Sequence, residues 1–406
     1  MSATSARRAV VVGAGFAGLA AADALLTAGV EVTVLEARDR VGGRVHSHRL
    51  ADGSVVELGA EFVLPGYEIL RETVERLGLE LYEKGTLYGD REPLGGPPVT
   101  RGELVAGYAA LADPGGGSIA SALERLVPSP GARAAIGARI AVSSGYELED
   151  QPAAALADGA AGFGDFPSHG VAGGNDRIAS VLAGRLGERL WLGAAAEHVA
   201  WGPAGVRVRA AGREIEADVC VLATPAPLAL DLGWEPSLPA WKRDALAAVR
   251  YGQAAKLFVP LAEPVEPSQT LSVRERFWTW TQLAPGGTPL PVACSFAGSA
   301  AALALLEVDR GSATWAAAVR RLRPDLVLAP AEPLLATWHD DPWARGAYSA
   351  RSLASPLEDD ALARPVGPLV FAGEHTAADW HGLMEGALRS GVRAAREIDM
   401  LLGSAV

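Results

Sequence analysis

Three glycines, Gly13, Gly15 and Gly18, stand at the spacing G-x-G-x-x-G, with Phe16 and Ala17 inside the turn. An apolar, β-branched run at residues 8–14 precedes them, and an Ala- and Leu-rich stretch at residues 19–28 follows, closed by Gly29. Strand, glycine turn and helix in that order give the spacing its meaning. The first glycine permits a tight turn, the second lets the backbone approach a pyrophosphate, and the third lets helix and strand pack closely. The free amides at the helix N-terminus attract phosphate charge. Glu36, at the end of a second strand (residues 31–36), is placed to accept hydrogen bonds from an adenosine ribose, and its charge disfavours a 2′-phosphate. The chemistry is dinucleotide binding, and this pattern leaves FAD and NAD both open.

The second candidate is a lysine. Of 36 basic residues only three are lysine: Lys84, Lys242 and Lys256. Lys256 lies mid-strand in an apolar run, with Ala254 and Phe258 on its face. Such a side chain ordinarily snorkels to water, whereas a buried lysine acquires catalytic properties. No GxSxG elbow, HExxH, CxxC or Walker loop occurs, and the seven histidines are scattered without metal-ligand spacing. No second GxGxxG follows a strand, so no separate NAD(P)H site is expected.

These residues need a scaffold. The chain has 406 residues with 49% apolar and 21% charged, an ordinary globular composition. It holds no apolar run near the roughly 20 residues of a membrane span. A net charge of −12 without a basic cluster argues against nucleic acid. Cys220 and Cys294 sit in apolar, strand-like runs and read as small core residues, which with the N-terminal sequence points to the cytoplasm. Residues 67–77 read as an amphipathic helix stopped by Gly78. Residues 85–170, rich in Gly, Pro and Ala, read as a small helical subdomain without strands. Strands recur from residue 190 to 222 and from 254 to 298, with Pro-rich turns between and one helix at Ser312–Leu322. Residues 368–402 read as strand, loop and long helix.

Residues beyond the first motif decide its identity. Glu36-Ala37-Arg38 followed by Gly42-Gly43-Arg44 resembles the extended FAD fingerprint of the flavin amine oxidase superfamily, which includes monoamine, polyamine and L-amino acid oxidases. The resemblance extends through Gly59-Ala60-Glu61-Phe62, Gly173-Gly174, Val199, Gly373-Glu374-His375, and Trp380 to Ala387 by way of Gly382, Leu383 and Met384. It implies that Arg38 and Arg44 contact the adenosine and diphosphate side. The 59–61 loop would run along the flavin, Val199 hold the adenine end and Glu374 lie near the ribityl chain. The amides of Leu383 and Met384, at a helix start, would stabilise negative charge developing on the flavin. His375 receives no catalytic role.

The resemblance also assigns the chemistry. Lys256 matches a family lysine that holds a water against flavin N5. Tyr348 matches one wall of the aromatic cage that aligns the amine, and these two are the catalytic candidates. Leu383 replaces the second cage tyrosine, which leaves Trp380 or the helical subdomain to supply the other wall. Phe62 and Trp343 complete the pocket, where Trp343 and Trp380 also fit as plain core aromatics. Ala347 stands where monoamine oxidases carry the cysteine that tethers FAD, so the cofactor is expected to be non-covalent. No arginine follows the 59–61 loop to pair a substrate carboxylate. Glu61 would suit a cationic group, although a structural carboxylate fits equally, and an amine lacking a carboxylate is favoured.

The expected fold is α/β (α+β), with a discontinuous Rossmann-like FAD domain, an interleaved mixed-sheet substrate domain and a helical subdomain. Its expected segments are 1–66, 171–246 and 362–406 for FAD, and 67–170 and 247–361 for substrate. The expected activity is amine oxidation by hydride transfer, with an imine released to water and O2 as electron acceptor. No metal is expected, and the sequence leaves oligomeric state open, a homodimer included. An amino acid oxidase or a desaturase on the same scaffold, and a non-enzymatic flavin-binding protein, remain the alternatives.

Overall fold

Side chains of a β-strand alternate between its two faces, and in strand Arg8–Val12 both faces are buried. Ala9 and Val11 point to one layer, joined by Val32, Val34, Val219, Val221 and Val370 of neighbouring strands. Val10 and Val12 point to the other, with Leu35, Cys220, Leu222, Leu369 and Phe371. Near-continuous apolar strands of this kind belong to a parallel sheet covered on both sides. In the computed structural model, which describes residues 7–156 and 166–403, that sheet has five parallel strands. Their order is Leu369–Phe371, Val219–Leu222, Arg8–Val12, Glu31–Leu35, Leu190–Trp191. Three distant stretches of chain therefore build one sheet. The first layer is closed by helices Phe16–Thr27, Arg177–Leu186 and Met384–Leu401. The second is closed by a four-stranded sheet that includes Ala196–Gly202 and Gly205–Ala210.

The other large sheet has six strands, in the order Leu334–Thr337, Ala254–Pro260, Val292–Gly298, Phe277–Thr281, Ser268–Ser272, Glu92–Leu94. It is antiparallel except for the last pair, so it is mixed. One face carries Ala255, Leu257 and Val259 against Trp315 and its helix, Ala313–Leu322. The opposite face carries Phe258, Trp278, Trp280 and Cys294 against Ala138 and Val142 of helix Pro130–Ser144. Lys256, two residues from Phe258, shares this second face. Helices Arg101–Ala110, Ile119–Leu126 and Pro130–Ser144 form a separate apolar cluster. Each starts at a side-chain cap, Thr100, Ser118 or Ser129, and Thr100 with Glu103 makes a reciprocal capping box.

Several expectations change. The 85–170 stretch is not free of strands: Leu81–Leu87 runs into it and pairs with Pro167–Val171, and Glu92–Leu94 joins the mixed sheet. Proline and glycine between these short strands hid their alternation. The Pro-rich turns at 224–241 hold helix Ala226–Asp231, with Pro225 at its start. A second helix, Ala300–Leu305, precedes the one expected near 312. Tyr67, Leu70 and Val74, assigned to the second segment, pack in the core of the parallel sheet. Residues 1–6, 157–165 and 404–406 of the expected segments lie outside the described residues. Cys220 and Cys294 are buried free thiols. Among the described residues, no helix is long and apolar enough to cross a membrane, and no group of His, Cys, Asp or Glu could hold a metal.

Candidate active site

One cavity of about 450 Å³ runs from the glycine turn of the parallel sheet to the inner face of the mixed sheet. At the first end lie Gly13, Gly15, Phe16 and Ala17, then Glu36, Ala37 and Arg38. Glu36, buried, accepts hydrogen bonds from the Ala14 N–H at 2.8 Å and the Arg38 N–H at 2.9 Å. Two short loops thus fix its carboxylate at the strand end. The Gly42 N–H donates to the Ala14 carbonyl at 2.9 Å, which lays the 42–43 glycine pair against the first glycine turn. Gly18 stands back from the cavity: a Cβ there would lie 1.9 Å from the Gly13 carbonyl oxygen, so it serves helix–strand packing.

In the middle, Arg44 donates to Glu374 Oε1 at 2.8 Å and to the Ala347 carbonyl at 2.9 Å. Glu374 also accepts from the Gly382 N–H at 2.7 Å and the Ser349 N–H at 3.1 Å. Burial alone would raise this carboxyl, but Arg44 and His375 overcome that and hold it down at about 2. Burial pushes His375 down to about 4. Gly59, Ala60, Gly373, Leu383 and Met384 complete this stretch. The N–H groups of Leu383 and Met384, where the helix begins, make no hydrogen bond among the described residues.

At the far end Lys256 Nζ donates to Glu61 Oε2 at 2.7 Å and to the Glu57 carbonyl at 2.8 Å. Lys84 Nζ donates to the other oxygen of Glu61 at 3.0 Å. All four side chains are buried. Burial would raise Glu61, yet Lys256 and Lys84 together keep it lowered. Burial raises Glu57 to about 7, against the pull of Lys84. Glu61 lines the cavity with its charge balanced by two ammonium groups, which fits the structural carboxylate of the two alternatives rather than a partner for a cationic substrate group. Tyr348 lines the cavity with its hydroxyl donating to the Ser143 carbonyl at 2.7 Å, at the end of helix Pro130–Ser144.

Three further expectations are corrected. Val199 is fully buried and paired on both sides, with Val208 and with Trp234, so its backbone has no free group for a ligand. Ala194 to Glu197 line the cavity instead. Trp380 lies outside the cavity, edge-on to Tyr67 at 6.0 Å with Arg389 over its ring. Trp343 lines the cavity at the Glu36 end: its N–H donates to Asp341 Oδ1, the oxygen that Arg38 holds at 2.7 Å.

The second aromatic wall comes from elements that the motifs did not reach. Trp278 and Trp280 stack with ring centroids 4.1 Å apart, and Phe62 meets both at 5.2 and 5.6 Å. Tyr88 closes the wall edge-on to Phe62. Their i, i+2 spacing on strand Phe277–Thr281 was the available signal for the tryptophans. Helical residues Ile119, Ile140 and Ser143, with Gln151 from the loop after them, also line the cavity, and nothing in their types announces it. Lys84 could have been found from the scarcity of lysine alone.

The match to known proteins covers nearly the whole chain. Residues 16–111 and 121–399 match the sequence model of the flavin containing amine oxidoreductases. The chain belongs to that family, and it is an amine oxidoreductase. It is 26% identical to amine oxidase [flavin-containing] B of Rattus norvegicus, over 97% of this chain and 86% of that protein. With polyamine oxidase 4 of Oryza sativa subsp. japonica it shares 27% identity over 96% of this chain and 88% of the other. In fold it resembles a double mutant of putrescine oxidase at a TM-score of 0.85 and 24% identity, covering 98% of this chain and all (100%) of that one.

The cavity fits the flavin that the family implies. A Cβ on Gly15 would meet nothing nearer than the Gly43 Cα at 3.9 Å, so the bare backbone leaves room for a ligand. The unpaired amides of Leu383 and Met384 are donors awaiting an acceptor.

Proposed function

We propose that the chain oxidises a small amine with FAD held non-covalently along this cavity. The observation that carries the reading is the continuity of the space. A nucleotide end built on Gly15 and Glu36 opens directly onto Lys256, Tyr348 and an aromatic wall. Glu36 would take the adenosine ribose, the helix start at Phe16 and Ala17 the diphosphate, and the free amides of Leu383 and Met384 the flavin ring. Ala347 offers no nucleophile for a covalent tether. In this reading residues 1–66, 171–246 and 362–406, with helix Glu68–Arg76 added, form the FAD domain.

Bound FAD supplies the hydride acceptor and passes the electron pair on to O2, yielding H2O2. The chain's own groups position and protect. Tyr348, anchored by Ser143, and the Trp278–Trp280 stack form two apolar walls that orient a neutral amine and exclude water. Lys256 spends two of its three N–H donors on Glu61 and Glu57 and keeps one for a water or for the substrate nitrogen. In that ion pair it acts as a donor. The imine product then takes up water and leaves as a carbonyl compound and ammonia, or a smaller amine.

Anaerobic addition of mono-, di- and polyamines to the purified flavoprotein tests the reading. At least one amine is expected to bleach the flavin, with stoichiometric H2O2 on readmission of air. Absence of bleaching by every amine, with bleaching by a C–C desaturation substrate, would overturn it.

A further inference from the structure

Lys84 does not line the cavity, yet the fold makes room for it. It stands mid-strand in Leu81–Leu87, whose Tyr82 is paired opposite Gly170. A Cβ on Gly170 would come within 2.7 Å of Lys84 Cε and 3.4 Å of its Nζ, so the lysine fills the space that a side chain there would take. Its ammonium lies 5.6 Å from the Tyr82 ring centroid and 5.8 Å from that of Phe62, with Gln282 Oε1 at 3.4 Å. Burial would lower this ammonium, but Glu61, Tyr82 and Glu57 hold it above the ordinary lysine range, so it stays charged.

Glu61 therefore answers two ammonium groups with one carboxylate. Lys84 holds Oε1 at 3.0 Å and Lys256 holds Oε2 at 2.7 Å, and all three side chains are buried. Glu57, the other carboxyl that acts on Lys84, is raised to about 7 by burial and already accepts from Ser47 Oγ at 2.7 Å and the Asn175 N–H at 2.8 Å. Below that pH it is neutral. Tyr82 and Cys294 also face the cluster, and burial raises both, so they stay neutral too. One net positive charge is left. Water does not screen it, so it acts on the cavity that Glu61 and Lys256 line.

We propose that Lys84 is a positioning residue for flavin reduction. By holding one oxygen of Glu61 it leaves the Lys256 ammonium half neutralised. The cavity wall then presents one net positive charge where hydride acceptance places negative charge. The proposal rests on the flavin-dependent reading and adds to it a residue outside the cavity.

The midpoint potential of the bound flavin reads this charge without any amine. It is measured by dye equilibration at pH 6, below the point where Glu57 ionises, on the wild type and four variants. Lys84→Met removes a positive charge and is expected to favour the oxidised flavin about tenfold, a downward shift of about 30 mV for a two-electron couple. Glu61→Gln removes a negative charge and should shift the potential upward by a similar amount. The double variant restores the net charge and should return close to the wild-type value, and Lys84→Arg should retain it. A merely structural Lys84 would change flavin content and the urea midpoint without these opposite shifts. Shifts of the same sign in the two single variants, or no shift in Glu61→Gln, overturn the proposal. The second of these decides the matter even where Lys84→Met does not fold. A wild-type protein that takes up no flavin overturns both readings. If it takes up flavin that no amine reduces, the oxidase reading fails while the potentials still decide Lys84.

Discussion

Lys256 Nζ lies 2.7 Å from Glu61 Oε2, across 195 residues of sequence, and Lys84 holds the opposite oxygen of the same carboxylate at 3.0 Å. Two of the three lysines in the chain thus converge on one buried anion. The third, Lys242, is also buried and donates to the carbonyls of Ala361 and Leu362. Every lysine here has an internal task.

Removing Lys84 leaves Glu61 with one partner in a dry environment. Lys84→Met is expected to cost about 3 kcal/mol of stability, because a broken buried pair strands a charge. Lys84→Met combined with Glu61→Gln should recover part of that loss. Urea unfolding of Lys84→Met, Glu61→Gln and the double variant checks this, and a strictly additive double variant would show that the pair is not coupled.

Lys256→Met should keep its flavin, since the side chain meets the cavity far from the nucleotide end. Turnover is expected to fall about 100-fold, the scale of a lost positioned donor. Stopped-flow measurement of the reductive and oxidative half-reactions locates the loss, and a full rate in both would remove Lys256 from the chemistry.

Two glycines of the first motif should fail in different ways. Gly18→Ala places a methyl 1.9 Å from the Gly13 carbonyl and should destabilise the fold, with a lowered Tm in the absence of ligand. Gly15→Ala meets only the Gly43 Cα at 3.9 Å, so the protein should fold normally and bind flavin weakly. Flavin content per folded protein distinguishes the two.

The pH dependence of stability is a contest between two neighbouring regions. His375 drops from 6.5 to about 4 on folding, so its contribution is present above 6.5 and lost as pH falls toward 4. Glu57 rises from 4.5 to about 7, so its contribution is present below 4.5 and lost as pH rises toward 7. Each amounts to about 3 kcal/mol, with opposite sign. Between pH 7 and 4.5 stability should therefore stay nearly flat. His375→Phe should make the protein more stable on acidification, and Glu57→Gln less stable, over that window. Below 4.5 the Glu374 contribution is lost as pH falls toward 2. Urea midpoints at pH 7, 5.5 and 4.5 decide the matter.

What the linear chain determined was local. Gly13, Gly15 and Gly18 with Glu36 declare a phosphate-binding turn because turn, helix start and acidic strand end lie within about two dozen residues and obey short-range stereochemistry. The alternating strands at 196–222 and 254–298 were legible for the same reason, and the long helix at the C-terminus with them.

What only the tertiary structure decided was company. Glu61 faces two lysines that the sequence places 23 and 195 residues away. Trp278 and Trp280 line the cavity where Trp380 or the helical subdomain was expected to supply the second wall, and Trp380 turns toward Tyr67. Val199 pairs within its sheet and leaves Ala194 to Glu197 at the cavity. Whether a buried charge is satisfied depends on atoms within about 4 Å, and those atoms come from elements whose separation along the chain carries no information about distance in space.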